Sequence, residues 1–205
     1  MVVTQITGIS KSRYQIYLDG EFAFILYKGE LRQYQVREQQ ELSEDVYQHI
    51  VGEVLPKRAK LRCMNLLQSK DYTQKQLEDK LHQGEYPSSC IEEAISYVKS
   101  YGYVDDERYA RSYIEYHIES RSRSRIEMDL MRRGIARETI RTTFEELGQM
   151  GVEQDELALV RDILHKKNYN PETATKQETQ KMYGLLYRKG FRSNTITRAL
   201  LLDIT

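Results

Sequence analysis

The sequence predicts a mainly α protein: three tandem three-helix repeats forming an elongated curved array, preceded by a small N-terminal β-rich unit. Three observations carry this. Strand-like alternation is confined to the first 27 residues, apolar residues then follow helical spacing, and that helical spacing recurs in register three times.

In the first segment RYQIYL (13–18) alternates polar and apolar residues, Asp19-Gly20 is a two-residue turn suited to the left-handed backbone of a hairpin, and FAFILY (22–27) resumes a strand. VVTQITGI (2–9), rich in β-branched residues, supplies a third strand. Three strands need a helix to cover their apolar face. Ser43 reads as an N-cap ahead of Glu44 and Asp45, and Val46, Ile50 and Val54 form a helical stripe. Pro56 should end or kink that helix, and the domain border is placed there.

The repeats are anchored on Tyr86, Ile135 and Phe191. Nine residues before the anchors stand Leu77, Ile126 and Met182, and five before stand Leu81, Leu130 and Leu186. Five after are Ile91, Ile140 and Ile196, and nine after are Ile95, Phe144 and Leu200. Twelve after are Val98 and Leu147, with Asp203 in the third copy. Gly84, Gly134 and Gly190 lie one or two residues before the anchors and should end the preceding helix in the left-handed conformation. A further helix upstream carries Cys63, Leu66 and Leu67 in copy one, Ile114 and Ile118 in copy two, and Val160 and Leu164 in copy three. Thr73 with Gln76, Ser89 with Glu92, and Asn170-Pro171 read as helix starts. The anchors are 49 and then 56 residues apart, so the third copy has an insertion, placed at Asn168–Thr175. The predicted domains are 1–55, 56–104, 105–151 and 152–205. Three such bundles stacked end to end would expose an extended concave face.

Composition excludes several classes. The 205 residues carry 31 basic and 31 acidic side chains, and no apolar run reaches the length of a membrane span. Cys63 and Cys90 form no CxxC pair, which fits a reducing cytoplasm and argues against a disulfide framework or a thiolate zinc site. No glycine-rich phosphate loop occurs, and His49, His82, His117 and His165 are scattered. Asp105-Asp106-Glu107 could hold a cation, but its place ahead of Tyr109, Ala110 and Ile114 reads as a helix start with an acidic first turn. The sequence thus predicts no catalytic residues, no metal and no cofactor.

Zero net charge conceals local excess: residues 108–141 hold nine basic against five acidic side chains, and 161–205 hold nine against four. Arg121, Arg123, Arg125, Arg132, Arg133, Arg137 and Arg141 cluster around the second repeat, with no lysine between 100 and 165. Arginine's planar fork suits phosphate and carboxylate. Ser122 and Ser124 would add phosphate contacts or cap the helix. Since Ile126 and Leu130 form the apolar stripe, Arg125, Arg132 and Arg133 should point outward. Arg188, Lys189, Arg192 and Arg198 surround the matching Gly190, and Lys70, Lys75 and Lys80 mark the corresponding region of copy one. The bland alternative is a set of solvated helix faces. Tyr103, Tyr109, Tyr113 and Tyr116 follow a helix face, which favours packing between repeats over base stacking.

GYVDDERYA (102–110) resembles a signature of the RecX regulatory proteins, with Gly102, Tyr103, Asp105, Asp106, Tyr109 and Ala110 at the signature positions in a structural role. LMRRGI (130–135) and LLYRKGF (185–191) resemble that family's second and third repeats. Where the family commonly has an arginine-rich segment in its first repeat, QSKDYT (68–73) offers only Lys70, whereas SRSRSR (120–125) is fully basic. The resemblance implies a cytoplasmic, monomeric, non-enzymatic modulator of the RecA recombinase. Such a protein lies in the groove of the RecA–single-stranded-DNA filament and alters its assembly, ATP hydrolysis and strand exchange. Arg121, Arg123, Arg125, Arg132 and Arg133 are then the principal contacts, and Arg188, Lys189 and Arg192 secondary ones. Two other readings stand beside it: a direct DNA-binding helical-repeat protein and a solenoid-type protein–protein scaffold.

Overall fold

The computed structural model describes residues 1–201; the repeat position at Asp203 lies outside them. The chain forms two compact units, one spanning Met1–Asp105 and the other beginning at Asp106.

In the first unit, β1 (Val3–Gly8), β2 (Arg13–Leu18) and β3 (Glu21–Tyr27) make an antiparallel meander in the order β1-β2-β3. The β2–β3 turn uses positive φ at Asp19 (49°) and Gly20 (91°), as the Asp-Gly pair predicts. A short helix that the sequence pattern does not announce, α1 (Lys28–Gln33), follows directly. Glu30 fixes it: its carboxylate accepts from the Tyr27 amide and pairs with Arg58 at 2.7 Å. Arg58 also donates to the Ile25 carbonyl and lies over the Tyr27 ring, 4.7 Å from its centroid.

Ser43 caps α2 (Glu44–His49), accepting from the Val46 amide. Of the two outcomes expected at Pro56, an end or a kink, the helical path does not end there. The ladder widens to a π turn over Ile50–Val54, and Pro56 sits in the first turn of α3 (Leu55–Leu67). Proline is tolerated there because first-turn amides need no helical acceptor. α4 (Gln74–His82) and α5 (Ser88–Ser100) complete the unit. One continuous core joins sheet residues Ile16, Phe24 and Leu26 to Leu55, Ala59 and Cys63 of α3, and to Leu77, Leu81, Ile91 and Ile95. The helix that covers the sheet is therefore itself part of the first repeat.

Thr73 is fully buried and closes a reciprocal capping box, its hydroxyl accepting from the Gln76 amide while Gln76 Oε1 accepts from the Thr73 amide, each at 3.2 Å. Thr73→Ala is expected to cost about 1 kcal/mol, read as a lower urea midpoint at unchanged m value. Ser89 does not cap α5; the N-cap lies two residues earlier at Pro87, whose extended backbone ends the preceding loop.

The second unit holds α6 (Asp106–His117), α7 (Arg123–Arg132), α8 (Arg137–Gln149), α9 (Glu156–Lys166), α10 (Lys176–Arg188) and α11 (Ser193–Leu201). Ala110, Ile114, Ile126, Leu130, Ile135, Ile140, Phe144 and Leu147 form one core cluster. Val160, Leu164, Leu186, Phe191, Ile196 and Leu200 form another. Asn170-Pro171 does not start α10, a correction with a local cause. Asn170 Oδ1 accepts from the Glu172 amide in a side-chain turn, and Thr175 with Glu178 makes the capping box instead.

The anchors mark one turn made three times. The amides of Tyr86, Ile135 and Phe191 reach back to the carbonyls of Leu81, Leu130 and Leu186 at 3.2–3.3 Å. The residue before each anchor has positive φ: Glu85 (57°), Gly134 (86°) and Gly190 (86°). This is the helix C-terminus in which a bond five residues back satisfies an otherwise orphan carbonyl. In the first copy Glu85, not Gly84, enters the left-handed region. Gly84 is needed for room, since a Cβ there would stand 2.9 Å from the Tyr86 ring.

Candidate functional site

The basic stretch folds around the start of α7. Ser122 is buried and caps that helix, accepting from the Arg125 amide at 3.3 Å. Its hydroxyl also donates to the Lys189 carbonyl at 2.7 Å, joining the α7 N-terminus to the α10 C-terminus. The sequence left phosphate contact and capping as alternatives for this serine, and burial with two internal bonds gives capping. Ile126 and Leu130 face the core as predicted, and Asp129 is buried beside them.

Asp129 organises the cluster, and nothing in the basic pattern singled it out. Its Oδ2 accepts from Arg121 Nη1 at 2.8 Å and from Arg125 Nε at 3.1 Å. The i, i+4 spacing from Arg125 to Asp129 is the one available sequence signal. Arg121 Nη1 also donates to the Tyr113 hydroxyl at 2.8 Å. The outward orientation expected of Arg125 and Arg133 holds only in part, since both are half-exposed and internally bonded. Arg125 turns back to Asp129, and Arg133 donates to the Tyr109 hydroxyl at 2.8 Å with its guanidinium 4.8 Å from the Tyr113 centroid. A buried carboxylate and two tyrosine faces outcompete water for these planar cations. Tyr109 and Tyr113 consequently pack under arginines of their own repeat, while Tyr103 and Tyr116 are exposed, Tyr116 at 81%. The imidazole of His117 is held below its ordinary pKa, first by burial and then by the Arg121 charge.

The other predicted contacts separate into groups. Arg123 pairs with Glu127 at 2.9 Å and covers the Phe144 ring at 4.4 Å. Arg141 is bracketed by Glu138 and Glu145, which neutralise it on the surface of α8. Arg132, Arg137, Arg188, Lys189 and Arg192 are exposed and form no salt bridge among the described residues. Arg121, Arg125, Arg188 and Lys189 meet around one pocket of about 330 Å³, floored by Ile163 and Phe191. A larger groove of about 790 Å³ between α4 and α5 mixes Glu78 and Glu92 with Lys99 and has no excess of positive charge.

The signature residues have structural places. Gly102 ends α5 with φ of 67°, and the Tyr103 amide reaches back to the Val98 carbonyl at 2.9 Å. Asp105 immediately precedes α6, Asp106 opens it, Tyr109 is half-buried and Ala110 is fully buried. No group of three or more His, Cys, Asp or Glu able to hold a metal occurs among the described residues. No described helix is long and apolar enough to cross a membrane.

Three three-helix units in series, each with the same turn between its second and third helices, make this a tandem helical-repeat protein. The units match three family descriptions one for one: "RecX, first three-helix domain" at residues 59–97, the second at 105–143 and the third at 153–200. The chain belongs to the RecX family of regulatory proteins. It is 33% identical over 202 residues to the regulatory protein RecX of Caldanaerobacter subterraneus subsp. tengcongensis, covering 98% of each chain. It is 28% identical over 203 residues to that of Clostridium beijerinckii, covering 98% of this chain and 93% of the relative. A crystal structure of a regulatory protein RecX shares the fold with a TM-score of 0.62 at 24% identity, over 97% of this chain and 98% of the other. The crystal structure of RecX from Lactobacillus salivarius does so at 0.59 and 19%, over 74% and 98%.

Proposed function

We propose that this protein is a non-enzymatic, cytoplasmic regulator of the RecA recombinase that binds as a monomer in the groove of the RecA–single-stranded-DNA filament and modulates assembly, ATP hydrolysis and strand exchange. The observation that carries the reading is the separation of the basic residues in a chain of this family. Some arginines are internally paired, while Arg132, Arg137, Arg188, Lys189 and Arg192 are exposed and form no salt bridge among the described residues. Exposed cations that make no internal pair keep their charge for a partner. Spread over two repeats, they would engage several weak contacts at once, and linked contacts raise apparent affinity through effective concentration.

Arg132 gives the clean test, because it is exposed while its neighbour Arg133 is held by Tyr109 and Tyr113. Arg132→Glu is expected to reduce the effect of the protein on RecA-dependent ATP hydrolysis by about tenfold in effective concentration at physiological salt, with an unchanged melting temperature. Unchanged potency would remove Arg132 from the interface. A protein that binds bare DNA as tightly as it binds the filament would instead be a direct DNA-binding protein.

A further inference from the structure

The pocket between the start of α7 and the end of α10 has a property that scattered surface arginines lack: four cationic residues line one concave site. We propose that this pocket is a receptor for a phosphodiester group of single-stranded nucleic acid, held by Arg121, Arg125, Arg188 and Lys189. The inference deepens the function proposed above and rests on it for its biological setting, not for its chemistry.

The charge count comes first. Four cationic residues line the pocket and one carboxylate, Asp129, pairs with two of them, Arg121 and Arg125, leaving a net charge of +3. Among the described residues no carboxylate lines the pocket itself. Like charges brought together in a concavity raise the local potential and favour an anion.

Geometry comes second. Asp129 acts as a positioning residue. It binds Arg125 through Nε, so both Nη groups of that guanidinium are left to point elsewhere, and it holds Arg121 through Nη1 alone. A guanidinium fixed on one edge offers its remaining N–H groups in a rigid fork, the pattern that recognises phosphate oxygens. Ser122 ties the start of α7 to the backbone of Lys189, so the chain carrying Arg188 and Lys189 is held beside Arg121 and Arg125 at the same pocket. Ile163 and Phe191 add apolar lining, against which a sugar or base edge would rest while the phosphate meets the cations. The volume of about 330 Å³ exceeds the need of a bare phosphate ion and falls in the range of pockets that enclose a small organic group.

The test uses the full chain without RecA. A fluorescein-labelled oligothymidylate is titrated with wild type, with Arg188→Glu combined with Lys189→Glu, and with a charge-matched control, Lys176→Glu combined with Lys181→Glu, on exposed positions of α10 away from the pocket. Both pocket side chains are exposed, and Ser122 bonds the backbone of Lys189, not its side chain, so the reversal leaves the fold intact. The pocket pair is expected to weaken binding about tenfold or more and to lower the log–log salt slope by about one, while the control moves affinity less than about threefold. In parallel, the arginine side-chain N–H resonances of Arg121 and Arg125 should shift on adding the oligonucleotide to wild type and stay unmoved with the pocket pair. Equal affinity loss in pocket and control variants overturns the proposal. So does a shift produced by inorganic phosphate but not by the oligonucleotide. Because RecA is absent, failure here leaves the filament reading standing. Oligonucleotide binding that depends on the pocket pair, by a wild-type protein without effect on RecA-dependent ATP hydrolysis, would do the reverse.

Discussion

The Leu130→Ala variant is expected to unfold about 3 kcal/mol more easily than the parent chain. Leu130 is fully buried among Ala110, Ile114, Ile126, Ile135 and Phe144, so truncation opens a cavity enclosed by three helices. Its backbone carbonyl also accepts the Ile135 amide in the repeat turn, a bond that alanine keeps. The loss is thus one of side-chain packing, not of turn geometry. Urea denaturation followed by far-ultraviolet circular dichroism should show a lower midpoint with little change in m value, and the melting temperature should fall by on the order of 10 °C. A loss under about 1 kcal/mol would mean that the second repeat is not held by the stripe its sequence displays.

Gly190→Ala is expected to cost about 2–4 kcal/mol through two separate effects. A side chain at φ of 86° is strained on its own account. A Cβ there would also stand 2.8 Å from Ser122 Oγ, whose bonds to the Arg125 amide and the Lys189 carbonyl would be lost if the hydroxyl moved. The two effects separate in a double-mutant cycle. In a Ser122→Ala background the steric part disappears and the conformational part remains, so the cost of Gly190→Ala should shrink by about 1 kcal/mol or more. Additive costs would show that Ser122 and Gly190 do not touch in solution. This contact also shapes one wall of the proposed phosphate pocket, so weakened oligonucleotide binding should accompany the loss of stability.

The helices were legible wherever a residue had to satisfy both a local and a packing requirement. Leu81, Leu130 and Leu186 are core residues and also the acceptors of the closing turn, so the same three positions recur in the chain. The Asp19-Gly20 hairpin was legible for the same reason, since few pairs adopt its backbone at low cost. Misreadings fell where two local signals competed. Asn170-Pro171 suits a helix start and a turn equally, and the side-chain bond to Glu172 made it a turn. Ser89 and Pro87 both suit the start of α5, and the chain used Pro87. The short helix α1 has no buried residue of its own and hence no stripe to read.

The candidate site was half legible. Its basic residues were visible as composition, but composition cannot say which cations already pair with an internal acid. Asp129 decides that for Arg121 and Arg125, and Glu138 and Glu145 decide it for Arg141.

By itself the amino-acid order determined the helical class, the strand-rich start and the threefold recurrence, because periodicity and turn chemistry act over a few neighbouring residues. Only the tertiary structure decided that Arg121 and Arg125 meet Arg188 and Lys189 across more than sixty positions of chain, that Ser122 binds the backbone beside Gly190, and that the sheet rests on the first repeat's own helix. Those encounters depend on how packed helices bring distant segments together, and no short-range pattern encodes them.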